Sequence, residues 1–224
     1  MLWDVFCRVV DNLGDAGVCW RLARHLVAHG QKVRLWIDEP TPLTWMALGA
    51  LQGRVEGITV LPWTDPLDAA LLAKLPPADV WVEAFGCEVA PEFIAARASH
   101  TSAGGTFNAK PPIWINLEYL SAEPYVERMH GLPSPVLHGP AAGWTKWFFY
   151  PGFTPQTGGL LRGKRALAED TGFDRIAWFR SHGLHWQGQT MVSMFCYDPP
   201  ALAPLLARWQ AASQPVHLLV AAGG

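Results

Sequence analysis

The sequence predicts an α/β fold built on a Rossmann-like, doubly wound parallel sheet. Two observations carry this prediction: short apolar runs suited to buried strands recur along the chain, and segments with helical spacing of apolar residues alternate with them. Such alternation favours parallel strands joined by crossover helices on both faces of the sheet. The 224 residues can bury a large core, and a composition with 50% hydrophobic and 16% charged residues indicates a folded chain.

The first 120 residues contain the predicted sheet. A strand over residues 5–10 leads into a helix with Val18, Leu22 and Leu26 on one face, which Gly30 ends. The other predicted segments follow in order: a strand at 32–38, a short helix at 43–50, a strand at 57–63, a helix at 65–75 that Pro76 and Pro77 stop, a strand at 78–86, a helix at 91–99 and a strand at 111–120.

The second half of the chain differs in character. From about residue 130 it is rich in Pro, Gly and aromatic residues with little periodicity, which predicts a long connecting loop. A strand at 190–198, a helix at 199–211 and a strand at 215–224 then predict the start of another βαβ unit. We therefore expect an N-terminal Rossmann-like domain over residues 1–186, with its loop-rich connector, and an incomplete second Rossmann-like domain over residues 187–224.

Composition excludes several classes of partner. The net charge of −2 and the lack of a basic stripe argue against nucleic acid. No run of about 18 apolar residues predicts a membrane-spanning helix, and Asp4 and Arg8 interrupt the N-terminal apolar stretch, so we predict no signal peptide. The four cysteines are scattered without a CxxC pair, which favours reduced thiols in a cytoplasmic protein and no metal site.

The loop after the first strand carries two aspartates and two glycines: Asp11, Gly14, Asp15 and Gly17. Its glycines are spaced GxxG, whereas a dinucleotide-binding fingerprint needs GxGxxG for the backbone to approach a pyrophosphate. Two carboxylates beside that position would also repel phosphate. An NAD-linked oxidoreductase is therefore a disfavoured alternative.

The spacing of these acidic residues leaves two interpretations open. Asp15 can cap the helix N-terminus, and Asp11 can close an Asx-turn. Alternatively, both carboxylates face the crevice at the carboxyl ends of the strands and accept a cation or a proton. Glu83, Glu118 and Tyr119 lie at predicted strand ends along the same edge, where either contact with an acceptor substrate or hydrogen bonding within loops would explain them.

Four segments resemble one known family: "DNLGDAGVCWRLARHL", "FNAKPPIWINLEYLSAEPYVERMHGLPSP", "KWFFYPGFTPQTGGLLR" and "SMFCYD". They are similar to the EarP family of bacterial protein-arginine rhamnosyltransferases, which modify translation elongation factor P. The resemblance implies an inverting glycosyltransferase of GT-B type, whose N-terminal domain docks the protein acceptor and whose C-terminal domain holds dTDP-β-L-rhamnose without a metal. The chain is shorter than that family's members, so it is expected to lack most of the donor domain.

The resemblance also implies roles for individual residues. Asp11 and Asp15 match the two aspartates of the family's first loop, Asp15 being the expected general base, and Gly14 and Gly17 are expected on the donor side of that loop. Phe195 and Tyr197 match aromatic residues of the nucleotide pocket. To act as the general base, Asp15 needs an oxygen that faces the crevice at the carboxyl ends of the strands. The alternative is that the fragment only docks elongation factor P without catalysis.

Overall fold

The computed structural model describes residues 1–11, 13–102, 110–161, 173–194, 196 and 199–220. Within it the chain forms two compact units, Met1–Ala166 and Leu167–Gly224. The domain boundary expected near residue 187 stays a prediction.

The first unit contains a seven-stranded sheet in the order β3-β2-β1-β4-β5-β7-β6. All neighbouring strands are parallel except β6 and β7. The strands are β1 (Leu2–Cys7), β2 (Lys32–Ile37), β3 (Ile58–Pro62), β4 (Val80–Ala84), β5 (Ile113–Leu117), β6 (Pro133–Pro135) and β7 (Thr145–Phe149). The helices are α1 (Gly14–Ala28), α2 (Leu43–Met46), α3 (Ala69–Lys74), α4 (Pro91–Ser102) and α5 (Tyr125–Met129). This topology confirms the predicted Rossmann-like, doubly wound fold.

The two faces of the sheet have different cores because side chains alternate along each strand. One face is aliphatic: residues such as Val5, Leu35 and Val82 pack against Ala16, Cys19 and other residues of α1. The opposite face is aromatic, and it packs against α3 and α4. Its buried rings are Phe6, Trp36, Trp81 and Trp114 from the four central strands, together with Phe93 from α4 and Trp63.

The first strand lies at Leu2–Cys7 rather than at residues 5–10. The backbone leaves the sheet after Cys7 because its next amides bind carboxylates instead of a neighbouring strand. The Val9 N–H donates to Asp38 at 2.9 Å, and the Val10 N–H donates to Asp15 at 2.9 Å. Apolar composition alone therefore placed the end of β1 three residues too late.

The predicted long loop after residue 130 is partly wrong, because it contains the β6–β7 hairpin. Pro133 and Pro135 resemble strand breakers, but β6 is an edge strand, where proline is tolerated. The residues on either side of the prolines make the hydrogen bonds to β7 and its flank. The Leu132 carbonyl accepts from the Phe148 N–H, and the Val136 N–H donates to the Trp144 carbonyl. The prolines thus occupy the positions whose N–H groups would point away from β7.

The second unit contains α6 (Arg175–Ser181), β8 (Thr190–Met194), α7 (Leu202–Gln210) and β9 (Val216–Val220). Strands β8 and β9 are parallel neighbours joined through α7, which is the predicted βαβ start. The sequence analysis missed α6, whose N-terminus Asp174 caps by accepting from the Ala177 N–H. Among the helices of the described residues, none is both long enough and apolar enough to traverse a bilayer.

Candidate functional site

The candidate site lies at the carboxyl ends of β1, β4 and β5. Strands β1 and β4 are neighbours, but the chain leaves β1 toward β2 on the other side, so their junction is a topological switch point. Open α/β sheets bind ligands at such a point, outside the carboxyl ends of the strands. The loops that follow these three strands supply Asp11, Phe85 and Tyr119 respectively, and Asp15 lies in the first turn of α1.

The Asp15 carboxylate is enclosed by three hydrogen-bond donors. Its Oδ2 accepts from the Val10 and Asp11 N–H groups, each at 2.9 Å, and its Oδ1 accepts from the Tyr119 hydroxyl at 3.0 Å. The residue is 1% exposed. Asp15 is the second residue of α1, and the N-cap is Leu13, which makes no side-chain cap bond. The carboxylate therefore fixes the loop before the helix, and the interpretation of Asp15 as an N-cap is wrong.

Tyr119 is the side chain that hydrogen-bonds to the Oδ1 atom of Asp15. Its side chain is exposed on one side (53% for the residue), and its ring stacks on Phe85 with centroids 4.2 Å apart at an interplanar angle of 9°. Partial burial, and then the hydrogen bond to Asp15, raise the pKa of Tyr119 to about 12. The hydroxyl is consequently a neutral donor at physiological pH, and it covers the oxygen that the sequence analysis expected to face the crevice.

Phe85 holds its ring in place through an unusual backbone conformation. It has a φ of 57°, in the left-handed region that non-glycine residues seldom adopt, and Gly86 (65°) and Glu88 (54°) share that region. The Phe85 N–H donates to the Leu117 carbonyl at 2.7 Å, which ties this turn to the end of β5. Strained residues of this kind concentrate at functional sites. The sequence analysis missed Phe85, although a Phe-Gly pair directly after a buried strand is a detectable signal.

The two glycines of the loop have different structural requirements. A Cβ on Gly14 would collide with the Asp11 carboxylate, so a side chain there would displace Asp11. A Cβ on Gly17 would meet only the end of the Met46 side chain, at 3.8 Å. Only Gly14 is therefore needed for the observed loop geometry. The role of both glycines in donor binding stays a prediction.

Glu83 and Glu118 are both engaged within the sheet. Glu83 is 2% exposed, and its Oε2 accepts from Trp114 Nε1 at 3.0 Å and pairs with Lys146 Nζ at 2.9 Å. Glu118 is half-buried, and its Oε1 accepts from the Asn116 amide at 2.6 Å. The structure thus groups Asp11, Asp15 and Tyr119 and directs Glu83 into the aromatic core. Acceptor binding by the two glutamates stays a prediction.

Two cysteines near this edge, Cys19 and Cys87, have raised thiol pKa values. Burial raises the pKa of Cys87 to about 12, and a hydrogen bond with Cys7, followed by burial, raises that of Cys19. Neither of these thiols is a thiolate nucleophile at physiological pH. Within the described part of the chain, no three His, Cys, Asp or Glu side chains are grouped so that they could hold a metal ion. Phe195 and Tyr197 lie outside the described residues, so their placement in a nucleotide pocket stays a prediction.

These features define the class of the protein as a Rossmann-like α/β domain with a hydrogen-bonded carboxylate at its switch point. Residues 3–224 match the family described as Elongation-Factor P (EF-P) rhamnosyltransferase EarP, and the chain belongs to this family. It is 43% identical to the protein-arginine rhamnosyltransferase of Pseudomonas putida, 40% to that of Pseudomonas aeruginosa and 37% to that of Shewanella oneidensis. Each comparison covers 99% of this chain and 57% of the relative, so the chain spans little more than half of these proteins.

Proposed function

We propose that the chain is the acceptor-binding part of a GT-B enzyme that transfers rhamnose from dTDP-β-L-rhamnose to an arginine of elongation factor P. The names of the family and of its relatives support the reaction and the acceptor. The observation that carries the mechanism is the fixed carboxylate of Asp15 at the switch point, with one oxygen held by two backbone amides. No metal or cofactor is part of the proposal.

The acceptor chemistry requires a carboxylate. A guanidinium has a pKa above 12 and is therefore charged at physiological pH, and its delocalised nitrogens are weak nucleophiles. A carboxylate can orient the guanidinium by charge-assisted hydrogen bonds and accept a proton from the attacking nitrogen. The bond from that nitrogen to the anomeric carbon forms as the bond to the diphosphate breaks, and dTDP leaves. The proton goes to Asp15, the modified arginine keeps its positive charge, and the β-linked donor gives an α-rhamnosyl product.

Access to Asp15 requires that Tyr119 give up its hydrogen bond. Among the described residues, the Oδ1 atom is held by the Tyr119 side chain, whereas the bonds to Oδ2 come from the backbone. A guanidinium N–H would replace the Tyr119 O–H at Oδ1, exchanging a neutral donor for a charged one. The phenol has solvent on its exposed side to move into. In this proposal Asp15 is the catalytic base. Tyr119 is a positioning residue whose hydroxyl donates to Asp15 until the arginine of the acceptor binds.

A second candidate function is docking of elongation factor P without catalysis. It is favoured by the burial of Asp15, which is 1% exposed and hydrogen-bonded to the Tyr119 hydroxyl. Titrating the chain with elongation factor P, in the presence and absence of dTDP-rhamnose, separates the two. Binding that is unaffected by the nucleotide sugar and yields no product supports docking alone. An NAD-linked oxidoreductase has no supporting observation, because the Asp11 carboxylate lies against Gly14 where a fingerprint loop would leave room for pyrophosphate.

The decisive experiment uses a chimera in which this chain replaces the matched part of the Pseudomonas putida relative. The chimera is incubated with elongation factor P and dTDP-rhamnose, and the gain of one deoxyhexose on the factor is followed by mass spectrometry. Asp15→Asn is expected to lower kcat by about 10²–10⁴-fold, which is the usual contribution of a general base. An unchanged rate in this variant would remove Asp15 from the mechanism.

Asp38→Asn is the matched control. Asp38 also lies at the carboxyl edge and accepts a backbone N–H of the same loop, from Val9 at 2.9 Å. Because it has no proposed contact with the acceptor, we expect a rate within about threefold of the parent. A loss as large as that of Asp15→Asn would mean that loop structure, rather than a base, limits the reaction.

Localisation in the cytoplasm is part of the same proposal. The cysteines Cys7, Cys19, Cys87 and Cys196 are unpaired, and the first three of them are buried. Free thiols of this kind are typical of a reducing compartment, which is also where translation factors act.

A further inference from the structure

A small cavity that is partly open to solvent lies at the opposite end of the sheet from Asp15, on the aromatic face beneath α3 and α4. Its volume is about 40 Å³. The polar side chains that line it are Arg34, Trp81 and Arg97, and apolar residues that include Leu75, Ala78 and Phe93 complete its wall. Pro76 and Ala78 directly precede β4, so the cavity is at the amino ends of the strands and is distinct from the candidate active site.

Two of the side chains that line the cavity carry buried N–H groups without an acceptor among the described residues. Arg97 is 9% exposed, and its only hydrogen bond among the described residues runs from Nη2 to the Lys110 carbonyl at 3.1 Å. Its Nε and Nη1, and the indole Nε1 of Trp81, are buried without a hydrogen-bond partner in the described part of the chain. Buried polar groups of native proteins are nearly always paired. Three unpaired donors on side chains that line one cavity therefore indicate a missing acceptor.

The neighbouring carboxylates do not supply that acceptor. Asp4 is engaged by Arg34, whose Nε and Nη2 each lie 2.6 Å from its oxygens, and by the Trp36 indole at 2.9 Å. Asp79 accepts the Leu2 N–H at 2.8 Å and acts on Arg97 only through space. Burial lowers the pKa of Arg97, and the charges of Asp79 and Asp4 oppose that shift. The Asp4–Arg34 pair is thus self-compensated, while the buried Arg97 guanidinium has no contacting carboxylate among the described residues.

We propose that this cavity binds a small monovalent anion of the size of chloride or formate, held by Arg97 and Trp81. Every polar side chain that lines it is a donor. A water molecule there would find no side-chain acceptor for its own hydrogens, whereas an anion needs only donors. One water occupies about 10–15 Å³ of such a volume, so 40 Å³ accommodates a chloride or formate ion. Bonds from a guanidinium to an anion are also stronger than those to a neutral acceptor.

The anion would connect α4, which carries Arg97, to β4, which carries Trp81. Its binding to the folded state alone raises the stability of the fold by mass action. The first unit should therefore respond to the identity of the anion, and not merely to ionic strength. This consequence is independent of the proposed glycosyl transfer.

Two measurements on the 224-residue chain test the proposal. Thermal unfolding is followed by tryptophan fluorescence in 300 mM sodium chloride, sodium formate or sodium gluconate, the last having an anion too large for the cavity. We expect Tm to be about 2–4 °C higher in chloride and formate than in gluconate. The ³⁵Cl resonance should also broaden in the presence of the protein, and formate should reverse that broadening by competition.

Variants assign these effects to the cavity. Arg97→Met should abolish the anion-specific Tm difference and the ³⁵Cl broadening, and Arg97→Lys should weaken both because it keeps the charge but loses the planar set of donors. Arg24→Met is the matched control, since Arg24 is exposed on α1. An equal chloride response in Arg97→Met and the parent would reveal a general salt effect and overturn the proposal. No broadening by the parent would show that the cavity holds water only, which overturns it as well.

Discussion

The two ends of the parallel strands bury ionised side chains in opposite ways. At the carboxyl end, Asp15 is 1% exposed and accepts three hydrogen bonds from described residues, two of them from the backbone. At the amino end, Arg97 makes one hydrogen bond among the described residues and leaves two of its nitrogens unpaired. A buried carboxylate whose oxygens are hydrogen-bonded is fixed in place, and one of its donors can be replaced by a donor of a substrate. A buried guanidinium with unpaired N–H groups requires an acceptor from outside the chain. This difference distinguishes the two proposed sites.

The largest effect that tests this contrast is expected at the amino end, in the Asp4–Arg34 pair. Asp4→Asn would place an amide N–H₂ group against the Arg34 guanidinium, leaving a buried cation without compensation. We expect a loss of about 3–5 kcal/mol in the free energy of unfolding, measured by urea denaturation. A cost below about 1 kcal/mol would mean that this pair is hydrated and that the amino end is less enclosed than described.

The matched substitution at the carboxyl end should cost much less. In Asp15→Asn the amide oxygen can accept the Val10 and Asp11 N–H groups, and the amide nitrogen can donate to the Tyr119 oxygen once its hydroxyl rotates. We expect a loss of about 1–2 kcal/mol by the same denaturation measurement, because only the charge assistance is removed. A loss as large as that of Asp4→Asn would show that Asp15 serves the fold before it serves catalysis.

The glycines of the first loop give smaller effects of opposite sign. Gly17→Ala should stabilise the protein by about 0.5–1 kcal/mol, because alanine fits against Met46 and favours the helix. Gly14→Ala should destabilise it, because the methyl group displaces the Asp11 carboxylate. Comparing the two urea midpoints tests whether the fixed loop around Asp15 depends on Gly14 alone. Equal effects from the two substitutions would contradict that.

The smallest expected effect is a change in the ionisation of Tyr119. The fold raises its pKa from about 10 in the unfolded chain to about 12. The stabilisation that the neutral phenol contributes is therefore fully present below pH 10 and lost as the pH rises through 12. Ultraviolet titration of the parent minus Tyr119→Phe should isolate this transition. In an Asp15→Asn background the pKa of Tyr119 should fall, and an unchanged pKa would argue that burial alone causes the shift.

Much of this fold was predictable, because hydrophobic periodicity reports which residues are buried. The four central strands, their helices and the βαβ unit of the second half follow from that signal. The β6–β7 hairpin did not, because Pro133 and Pro135 are read as breakers unless the strand is known to lie at an edge. The end of β1 was also misplaced, since only three-dimensional structure reveals that the Val9 and Val10 amides bind carboxylates.

Some residues at this edge of the sheet were predictable, but Phe85 and the arrangement of the side chains were not. Asp11, Asp15 and Tyr119 were each found from their positions at strand ends, and the structure brings them together. The sequence could not reveal that Tyr119 covers Asp15, because that contact joins residues 104 positions apart. Arg97 was missed for a related reason: one arginine in a helical pattern predicts a solvated side chain, whereas packing between two helices and the sheet buries it.

The alternation in β6 limits how the molecule can associate with others. Along Pro133, Ser134 and Pro135, the residues that face away from β7 are the prolines, so this margin offers carbonyls but no N–H groups to an incoming strand. Lateral growth of the sheet, whether by a second copy or by an extended peptide, is blocked on that side. The proposed protein acceptor would accordingly be recognised by side chains and loops rather than by strand addition at β6.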